Sequence, residues 1–435
     1  MPLQPLHLPV LRLRPGLPVR LSLRLRRPVR RAQGRRLIIA PRPPAPLSGA
    51  GGLYPGETFA MRVPLLIIAG FLALPLVAAE AADRLAVETP VVAAGRGAAD
   101  RLTLPAPKAG RTRPLVVVVG ENVGAEVTDF IVPYGVLKDS GVAEVRSLST
   151  GEGPIQLRMA LKIRADQTLA QFDLAEPAGA DIVIVPAQMS PKDKVLTAWV
   201  RDQADRGAVI VSVCEGARVL ANAGLLRGRR ATTHWGAIKA LEKAYPDTTW
   251  VRDRRYVQDG SIISTTGVTA SIPMSLALVE AIGGRGAAEA TARRLGVSDW
   301  SAAHHTADFH LSKGDYAHAI GLLAAVWSHE TVEAPIADGV DEVALALRAD
   351  VWQRSFRAKV ATTRTGRAPV VSRHGLTILP DAEPVAGRYR IPGDAGPAAP
   401  QLDQALAAMG RRYGPFAVRL ARQGLEYNTP PRPAP

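Results

Sequence analysis

Short strand-like segments alternate with longer segments of helical periodicity from Pro114 to about residue 290. The strand candidates are LVVVVG (115–120), VAEVRSLS (142–149), IQLRMALKIR (155–164), ADIVIVP (180–186) and AVIVSV (208–213). Amphipathic helices are predicted between them, and YVQDGSIISTTG (256–267) predicts a hairpin with an Asp-Gly turn. Val- and Ile-rich strands that alternate with helices are typical of a parallel sheet covered on both faces. The pattern predicts an α/β three-layer sandwich with a flavodoxin-like, mostly parallel sheet over residues 114–290.

The alternation weakens beyond about residue 330. The segments VDEVALALRADVWQRSF and PVVSRHGLTILPD are predicted to be rich in strands, and 402–427 is predicted to form two helices split at Gly414-Pro415. No internal repeat is evident. Residues 291–427 are therefore predicted to form a C-terminal α+β extension, followed by a disordered tail (428–435). The extension is expected to pack on the sheet domain because its apolar side chains need burial, among them Val343, Leu345, Leu347 and Trp352.

Most of the net positive charge of the chain lies in its N-terminal 60 residues. The chain has a formal net charge of +15, yet eleven arginines and one acid, Glu57, fall in the proline-rich residues 1–60. The rest of the chain carries no marked excess of basic residues, which argues against a nucleic-acid partner. Residues 1–60 are expected to be a disordered leader or a misassigned translation start.

A targeting signal is predicted at residues 61–79. The charged Arg62 is followed by an apolar run and then by small residues at Val77 and Ala79, which suits cleavage by signal peptidase. We expect export to the periplasm or outside the cell, with residues 80–113 as a linker. The alternative is an uncleaved signal that anchors the chain in a membrane.

Cys214 is the only cysteine of the chain, so it has no partner for an internal disulfide. It stands between the apolar strand 208–213 and a helical segment, where a residue is forced into a tight, sparsely populated conformation, as in a nucleophile elbow. The helix N-terminus is expected to lower the pKa of the thiol, and Gly216 lets the backbone approach closely. The alternative is an inert core cysteine.

Longer stretches around Cys214 carry a resemblance to a known family. Cys-x-Gly after an apolar strand, then NAGLLRGRRATTHW and YVQDGSIISTTGVTASIPMSLALVEAIGG, together with LVVVVGENVGAEVTDFIVPYGVL, resemble the ThiJ/PfpI superfamily, relatives of class I glutamine amidotransferases. The resemblance covers about residues 114–285. It implies catalytic roles for Cys214, His234 and Asp129, with the acid hydrogen-bonded to the cysteine. It also implies a small-molecule or peptide ligand and self-association, such as a homodimer.

The same resemblance implies an oxyanion hole of backbone amides. These amides fall on Ala187 and Gln188, where the family usually has glycines, and on Glu215 after the cysteine. Gln188 is expected to narrow the pocket. Glu215 is expected to raise the pKa of the thiol unless Arg218, one helical turn along, neutralises it.

Alternatives stay open for the other polar candidates. His234 is a general base, an orienting ring or a core histidine, and Asp129 is a partner of Cys214 or only of the helix dipole. The segment HHTADFH offers potential zinc ligands, but its spacing matches no metal motif: His304, His305, Asp308 and His310. No phosphate-binding glycine motif follows a strand. We therefore expect neither a metal nor another cofactor.

Two classes of function follow from these observations. The first is a cysteine-dependent hydrolase or hydratase-like enzyme that acts on a small molecule or peptide. The second is a non-catalytic ligand- or redox-sensing module related to the amidotransferase-like domains of AraC-type regulators, which GRRATTHW resembles. No helix-turn-helix pattern is evident in residues 290–435, and export would exclude a cytoplasmic regulator.

Overall fold

The computed structural model describes residues 101–158, 160–393 and 395–428. The predicted leader, the signal peptide and most of the predicted linker lie outside the described residues, as does nearly all of the tail. Within the described residues, no helix combines the length and the apolar character that a membrane span requires. The last part of the predicted linker, from residue 101 to 113, is anchored: Arg111 forms ion pairs with Glu176 and Asp181, both at 2.9 Å.

The elements of the described residues follow the chain in α/β order. The strands are β1 (Leu115–Gly120), β2 (Glu144–Ser149), β3 (Ile155–Gln156), β4 (Lys162–Arg164), β5 (Gln167–Thr168), β6 (Ile182–Val185), β7 (Val209–Ser212), β8 (Arg230–Ala231), β9 (Thr249–Trp250), β10 (Tyr256–Asp259), β11 (Ile262–Thr265), β12 (Glu330–Pro335), β13 (Ala358–Thr363), β14 (Val370–Val371) and β15 (Thr377–Leu379). The helices are α1 (Val127–Ser140), α2 (Leu169–Ala175), α3 (Lys194–Asp205), α4 (Ala217–Asn222), α5 (Trp235–Ala244), α6 (Ser271–Leu295), α7 (Lys313–Ala324), α8 (Glu342–Gln353), α9 (Pro400–Tyr413) and α10 (Pro415–Leu425). Helix α6 is interrupted at Gly284, where φ is 82°.

A seven-stranded sheet forms the centre, in the order β10-β11-β7-β6-β1-β2-β5. All neighbouring strands are parallel except the hairpin β10–β11. Alternate side chains of β1 enter two different apolar clusters, Val116 and Val118 on one face and Val117 and Val119 on the other. Helices α1 and α6 contribute to the first cluster, and α3 and α4 to the second. The predicted α/β three-layer sandwich with a mostly parallel sheet is confirmed.

The prediction of strands over residues 340–356 is wrong, because this segment forms helix α8. Asp341 caps the helix by accepting a hydrogen bond from the amide of Ala344 at 2.9 Å. Ten of its twelve residues are buried, so no polar face shows in the sequence and the helical period is lost. The strands predicted in PVVSRHGLTILPD are confirmed by β14 and β15, and the two C-terminal helices do split at Gly414, where φ is 86°.

The extension shares a core with the sheet domain. Val343, Leu345, Leu347 and Trp352 are all buried, in the same apolar cluster as helix α1. The indole of Trp352 also packs against the rings of two tyrosines, Tyr389 and Tyr413, at centroid distances of 5.1 and 5.6 Å. The burial expected for these side chains is confirmed.

Part of the extension repeats part of the sheet domain, so the chain has an internal repeat, contrary to the expectation from the sequence. Residues 330–381 repeat residues 115–166 at a constant spacing of 215 residues, which separates the first residues of β1 and β12, of α1 and α8, and of β4 and β15. A side-chain detail is repeated as well. Asp166 accepts hydrogen bonds from the amide and hydroxyl of Ser147 (2.7 and 2.8 Å), and Asp381 accepts the same pair from Thr362 (3.0 and 2.8 Å). The repeat is hidden because β12 pairs only with β13, so it lacks the apolar run of a central strand.

The two repeats contact each other through equivalent elements. Strand β15 lies antiparallel to β4, with Ile378 opposite Ile163, its equivalent in the first repeat. Thr377 lies opposite Arg164, and Leu379 lies opposite Lys162. Because Thr377 is the equivalent of Lys162 and Leu379 that of Arg164, exchanging the two repeats leaves the pairing unchanged. Helix α1 packs on its equivalent α8. This is the isologous arrangement of a two-fold dimer, formed here within one chain.

Candidate active site around Cys214

Cys214 lies on a sharp turn between β7 and α4. Its φ of 54° is a left-handed conformation that non-glycine residues seldom adopt. Two hydrogen bonds hold it: the Cys214 amide donates to the hydroxyl of Thr265 at 3.1 Å, and the hydroxyl of Thr233 donates to the Cys214 carbonyl at 2.9 Å. A Cβ atom at Gly216 would lie 2.1 Å from the carbonyl oxygen of Val185, so the turn requires glycine there. The predicted strained elbow is confirmed.

The expectation that the helix N-terminus lowers the pKa of the Cys214 thiol is wrong. Cys214 is only 5% exposed. Burial raises the pKa of its thiol well above the ordinary value, and nearby carboxylates raise it further: Asp129, Glu215, Glu126 and Glu426. Helix α4 has six residues, and the field of its N-terminus is outweighed by this acidic surrounding. Cys214 is therefore a neutral thiol, not a thiolate, in the resting protein.

Asp129 lies in the first turn of α1 and is fully buried. Its Oδ2 accepts a hydrogen bond from the amide of Ala187 at 3.2 Å, whereas Oδ1 has no partner among the described residues. Burial raises the pKa of Asp129 to about 7. The hydrogen bond expected between Asp129 and Cys214 is absent from the described residues, because neither carboxyl oxygen of Asp129 bonds the sulfur. Of the carboxylates around Cys214, Asp129 still raises the pKa of the thiol most. The carboxyl is therefore able to bind and release a proton near neutral pH.

An ion-pair chain from the extension reaches the start of α1, and sequence reasoning missed it. Arg354 of the extension donates from Nη2 to Oε1 of Glu126 at 3.1 Å, and its Nε lies 2.9 Å from Oδ1 of Asp350. Glu126 in turn caps α1 by accepting from the amide of Asp129 at 2.7 Å. Burial raises the pKa of both Glu126 and Asp350 to about 7. The one signal in the sequence is a pair of opposite charges four residues apart, Asp350 and Arg354.

The residues of the predicted oxyanion hole are near the elbow but already make other contacts. The amide of Ala187 donates to Asp129. The side chain of Gln188 does not extend over the elbow, because it bonds the amide of Glu121 (2.9 Å) and the carbonyl of Val119 (3.0 Å). Their role in stabilising an oxyanion, and that of the Glu215 amide, stays a prediction. The expected pairing of Glu215 with Arg218 is confirmed at 2.5 Å.

His234 is the N-cap of α5, and its ring is occupied on both sides. Its Nδ1 accepts a hydrogen bond from the amide of Gly236 at 3.1 Å, and its Nε2 lies 3.3 Å from the carbonyl oxygen of Gly424. A carbonyl only accepts, so the proton of the neutral ring belongs on Nε2. His234 connects to Cys214 through its neighbour Thr233, whose hydroxyl bonds the cysteine carbonyl. This arrangement favours an orienting ring over a general base.

Glu426, near the C-terminal end of the described residues, is a further component that the sequence did not reveal. It is buried and accepts hydrogen bonds from the amides of Trp235 and Gly267, the latter at 2.9 Å. The Nε2 of His304 lies 3.2 Å from its Oε2. Burial alone would raise the pKa of Glu426, but His304, His234 and these amides outweigh burial and lower it. A lone acid before a Pro-rich tail carries no sequence signal of such a position.

The histidines of HHTADFH are dispersed rather than clustered. The ring of His304 stacks on Phe309 at 5.2 Å and faces Glu426, while Asp308 accepts a hydrogen bond from Asn428 at 2.9 Å. Within the part of the chain that the structure describes, no group of three or more His, Cys, Asp or Glu side chains is arranged to hold a metal ion.

The raised pKa values predict how stability depends on pH. Buried carboxyls with pKa near 7 bind more protons in the folded than in the unfolded state. The free energy of unfolding is therefore expected to fall as the pH rises from 5 to 7. Urea denaturation of wild type and Asp129→Asn at several pH values measures this. The variant is expected to show a slope shallower by up to about 1 kcal/mol per pH unit. Asp205→Asn, at an exposed position of α3, is the control and is expected to leave the slope unchanged. Equal slopes in all three proteins would contradict the raised pKa of Asp129.

Comparisons with known proteins find one matching family model and several similar proteins. The family model of the DJ-1/PfpI family matches residues 115–281. The HTH-type transcriptional regulator CdhR of Pseudomonas aeruginosa is 35% identical over 135 residues, which are 30% of this chain and only 38% of the regulator. Isonitrile hydratase of Pseudomonas putida is 32% identical over 162 residues, covering 36% of this chain and 67% of the hydratase. The solved structure of Drosophila melanogaster DJ-1beta aligns with a TM-score of 0.39 at 22% identity, over 43% of this chain and all of that one. Through residues 115–281, the chain belongs to the DJ-1/PfpI family.

Proposed function

We propose that Cys214 is the nucleophile of a cysteine-dependent hydrolase or hydratase-like reaction on a small electrophilic molecule or peptide. The observation that carries the proposal is the strained elbow of Cys214, φ 54°, beside a buried carboxyl with one unpartnered oxygen, Oδ1 of Asp129. Strained backbone at a strand-to-helix turn is typical of sites that present a nucleophile.

In this proposal, each group has its own step. Asp129, with a pKa of about 7, accepts the thiol proton as the sulfur forms a bond with the electrophilic carbon of the substrate, and then passes the proton to the substrate. Water next attacks the same carbon, a proton of the water returns to sulfur through Asp129, and the C–S bond breaks. Amides of the elbow, with that of Glu215 next to the sulfur, stabilise the negative charge that develops on the substrate. His234 orients the turn through Thr233. The similarity to a protein named isonitrile hydratase supports a reaction in which water is added.

A sensing module is the second candidate function. Cys214 is 5% exposed and surrounded by carboxylates, which suits a thiol that responds to one ligand or oxidant rather than one that turns over substrate. The similarity to a transcriptional regulator supports this alternative. Both candidates use the same elbow, so the pH dependence of thiol reactivity separates them.

Iodoacetamide labelling tests the proposal, because the chain has a single cysteine. For an enzyme, we expect the labelling rate to rise with a midpoint near pH 7, where Asp129 becomes able to accept the proton, and Asp129→Asn to lose this midpoint. The charged groups around the thiol that contribute are Asp129, Glu126, Glu215, Glu426 and Arg354. Cys214→Ser gives the background. Labelling that stays slow from pH 5 to 8 in wild type would favour the sensing module and contradict the enzyme.

Export is proposed from residues 61–79, which resemble a cleaved signal peptide. Expression in a Gram-negative host, followed by fractionation and N-terminal sequencing, measures this. The expected product is a periplasmic chain that begins near Glu80. A membrane-bound chain that retains Met61 would indicate the uncleaved anchor, and a cytoplasmic chain would contradict export.

A further inference from the structure

The two-fold docking of the repeats has the geometry of a homodimer within a single chain. We propose that residues 330–381 are a built-in partner, which occupies the face where a second copy would bind and completes the Cys214 site by contributing Arg354 as a positioning residue. The part concerning Arg354 rests on the proposed function of Cys214. The part concerning the built-in partner stands on the repeat alone.

The docked face is formed by symmetry-equivalent elements. The hairpin β3–β4 and its equivalent β14–β15 join into one four-stranded sheet in the order β14-β15-β4-β3. Ile163 and Ile378, which face each other at its centre, are fully buried. Both strands of this contact are therefore used within the chain. A second copy would find β4 already paired.

The two repeats differ at the positions that reach the site. In the second repeat, α8 carries Asp350 and Arg354, whereas the equivalent positions of α1 carry Gly135 and Asp139. Only the first repeat continues into the strands and the elbow that hold Cys214. The second repeat contains the elements that dock, and it carries Arg354 where the first repeat has Asp139. This division of roles is what a built-in partner requires.

Arg354 controls the start of α1 by holding its capping residue. The guanidinium contacts Glu126, Asp350 and, through Nη1, the carbonyl of Gly424 at 3.0 Å. Its side chain is 16% exposed, so removal leaves two buried carboxyls without their counter-charge. Glu126 caps the turn on which Asp129 lies. Arg354 thus positions Asp129 through Glu126 rather than by contacting the sulfur, and its positive charge favours the ionised forms of the acids and of the thiol.

A disulfide test addresses the built-in partner without reference to activity. In a Cys214→Ser background of the full chain, Arg164→Cys and Thr377→Cys place two thiols on directly opposite residues of β4 and β15. After oxidation, we expect a monomer on a non-reducing gel, with an intrachain disulfide detected by peptide mass spectrometry. A disulfide-linked dimer would mean that the hairpins pair between two chains and would overturn the proposal.

Arg354 is tested by the pH profile of iodoacetamide labelling of Cys214. Loss of the positive charge in Arg354→Met is expected to move the midpoint up by about one pH unit, which is about a fivefold slower rate at pH 7. Arg354→Lys, which keeps the charge, is expected to restore most of the rate. The matched control is Arg373→Met, because Arg373 pairs with Asp341, the helix cap equivalent to Glu126, at 2.6 Å in the second repeat.

The outcomes separate the two proposals. If Arg354→Met is folded and labels like wild type, Arg354 is not a positioning residue. If Arg354→Met does not fold, Arg354→Gln, which removes the charge but keeps a hydrogen-bond donor, takes its place, and a labelling profile like that of wild type in this variant would overturn the assignment equally. If Cys214 of wild type is unreactive at every pH, the proposed function fails, while the disulfide test still decides whether residues 330–381 are a built-in partner.

Discussion

Replacing Trp352 with alanine is expected to lower the free energy of unfolding by about 3–5 kcal/mol. Trp352 is fully buried in α8 and packs against Tyr389 and Tyr413, so alanine leaves a cavity in the core that the extension shares with the sheet domain. Urea denaturation followed by circular dichroism measures the change. Because the core is continuous, the variant is expected to unfold in one transition.

Trp327 provides the matched control for this substitution. Its side chain is 84% exposed, so Trp327→Ala is expected to change the free energy of unfolding by less than about 0.5 kcal/mol. An equal loss in both variants would contradict the packing of α8. A second, separate transition in Trp352→Ala would indicate that the extension is an independent domain.

Although Cys214 rests as a buried thiol, mild peroxide is expected to oxidise it to a sulfinic acid when Asp129 accepts the thiol proton, with a gain of about 32 Da that is absent from Cys214→Ser. No second cysteine is present to divert the sulfenic acid into an internal disulfide. Asp129, with a pKa of about 7, is protonated in part of the molecules at neutral pH and can donate a hydrogen bond to the sulfinate. Asp129→Ala is expected to shorten the lifetime of the oxidised form and leave the fold intact. Intact-mass spectrometry over time measures both effects.

The methionines serve as the internal control of this experiment. The chain has six, and their oxidation reports that the peroxide was sufficient. If the methionines gain oxygen while Cys214 gains none, the thiol is an inert core cysteine, and the proposed enzyme falls with it. If Asp129→Ala and wild type retain the sulfinic acid equally long, Asp129 does not stabilise it.

The central fold was predictable because its strands are buried on both faces. Runs such as 115–120 and 208–213 are apolar throughout, which separates them clearly from the flanking helices. Helix α8 was not predicted for a related reason: ten of its twelve residues are buried, including Glu342 and Asp350, so polar and apolar residues do not separate onto two faces. The second repeat was not recognised because β12 is paired on one side only, and its sequence ETVEAP has little in common with LVVVVG.

The candidate site was predictable only as far as local geometry and the family resemblance reach. The conformation of Cys214 follows from its place between strand and helix, and Asp129 from the resemblance. Arg354 and Glu426 lie beyond the matched residues 115–281, and their contacts join positions more than 150 residues apart. The pKa of Cys214 could not be derived either, since burial and four carboxylates together set it.

The contacts of Glu426 connect the C-terminal helix α10 to the loops around the elbow. Glu426 directly follows α10 and accepts hydrogen bonds from the amides of Trp235 and Gly267. Local unfolding of α10 would therefore release both amides together and remove one of the four carboxylates that raise the pKa of the Cys214 thiol. Fraying of a surface helix is thereby coupled to the reactivity of a cysteine in a distant part of the sequence.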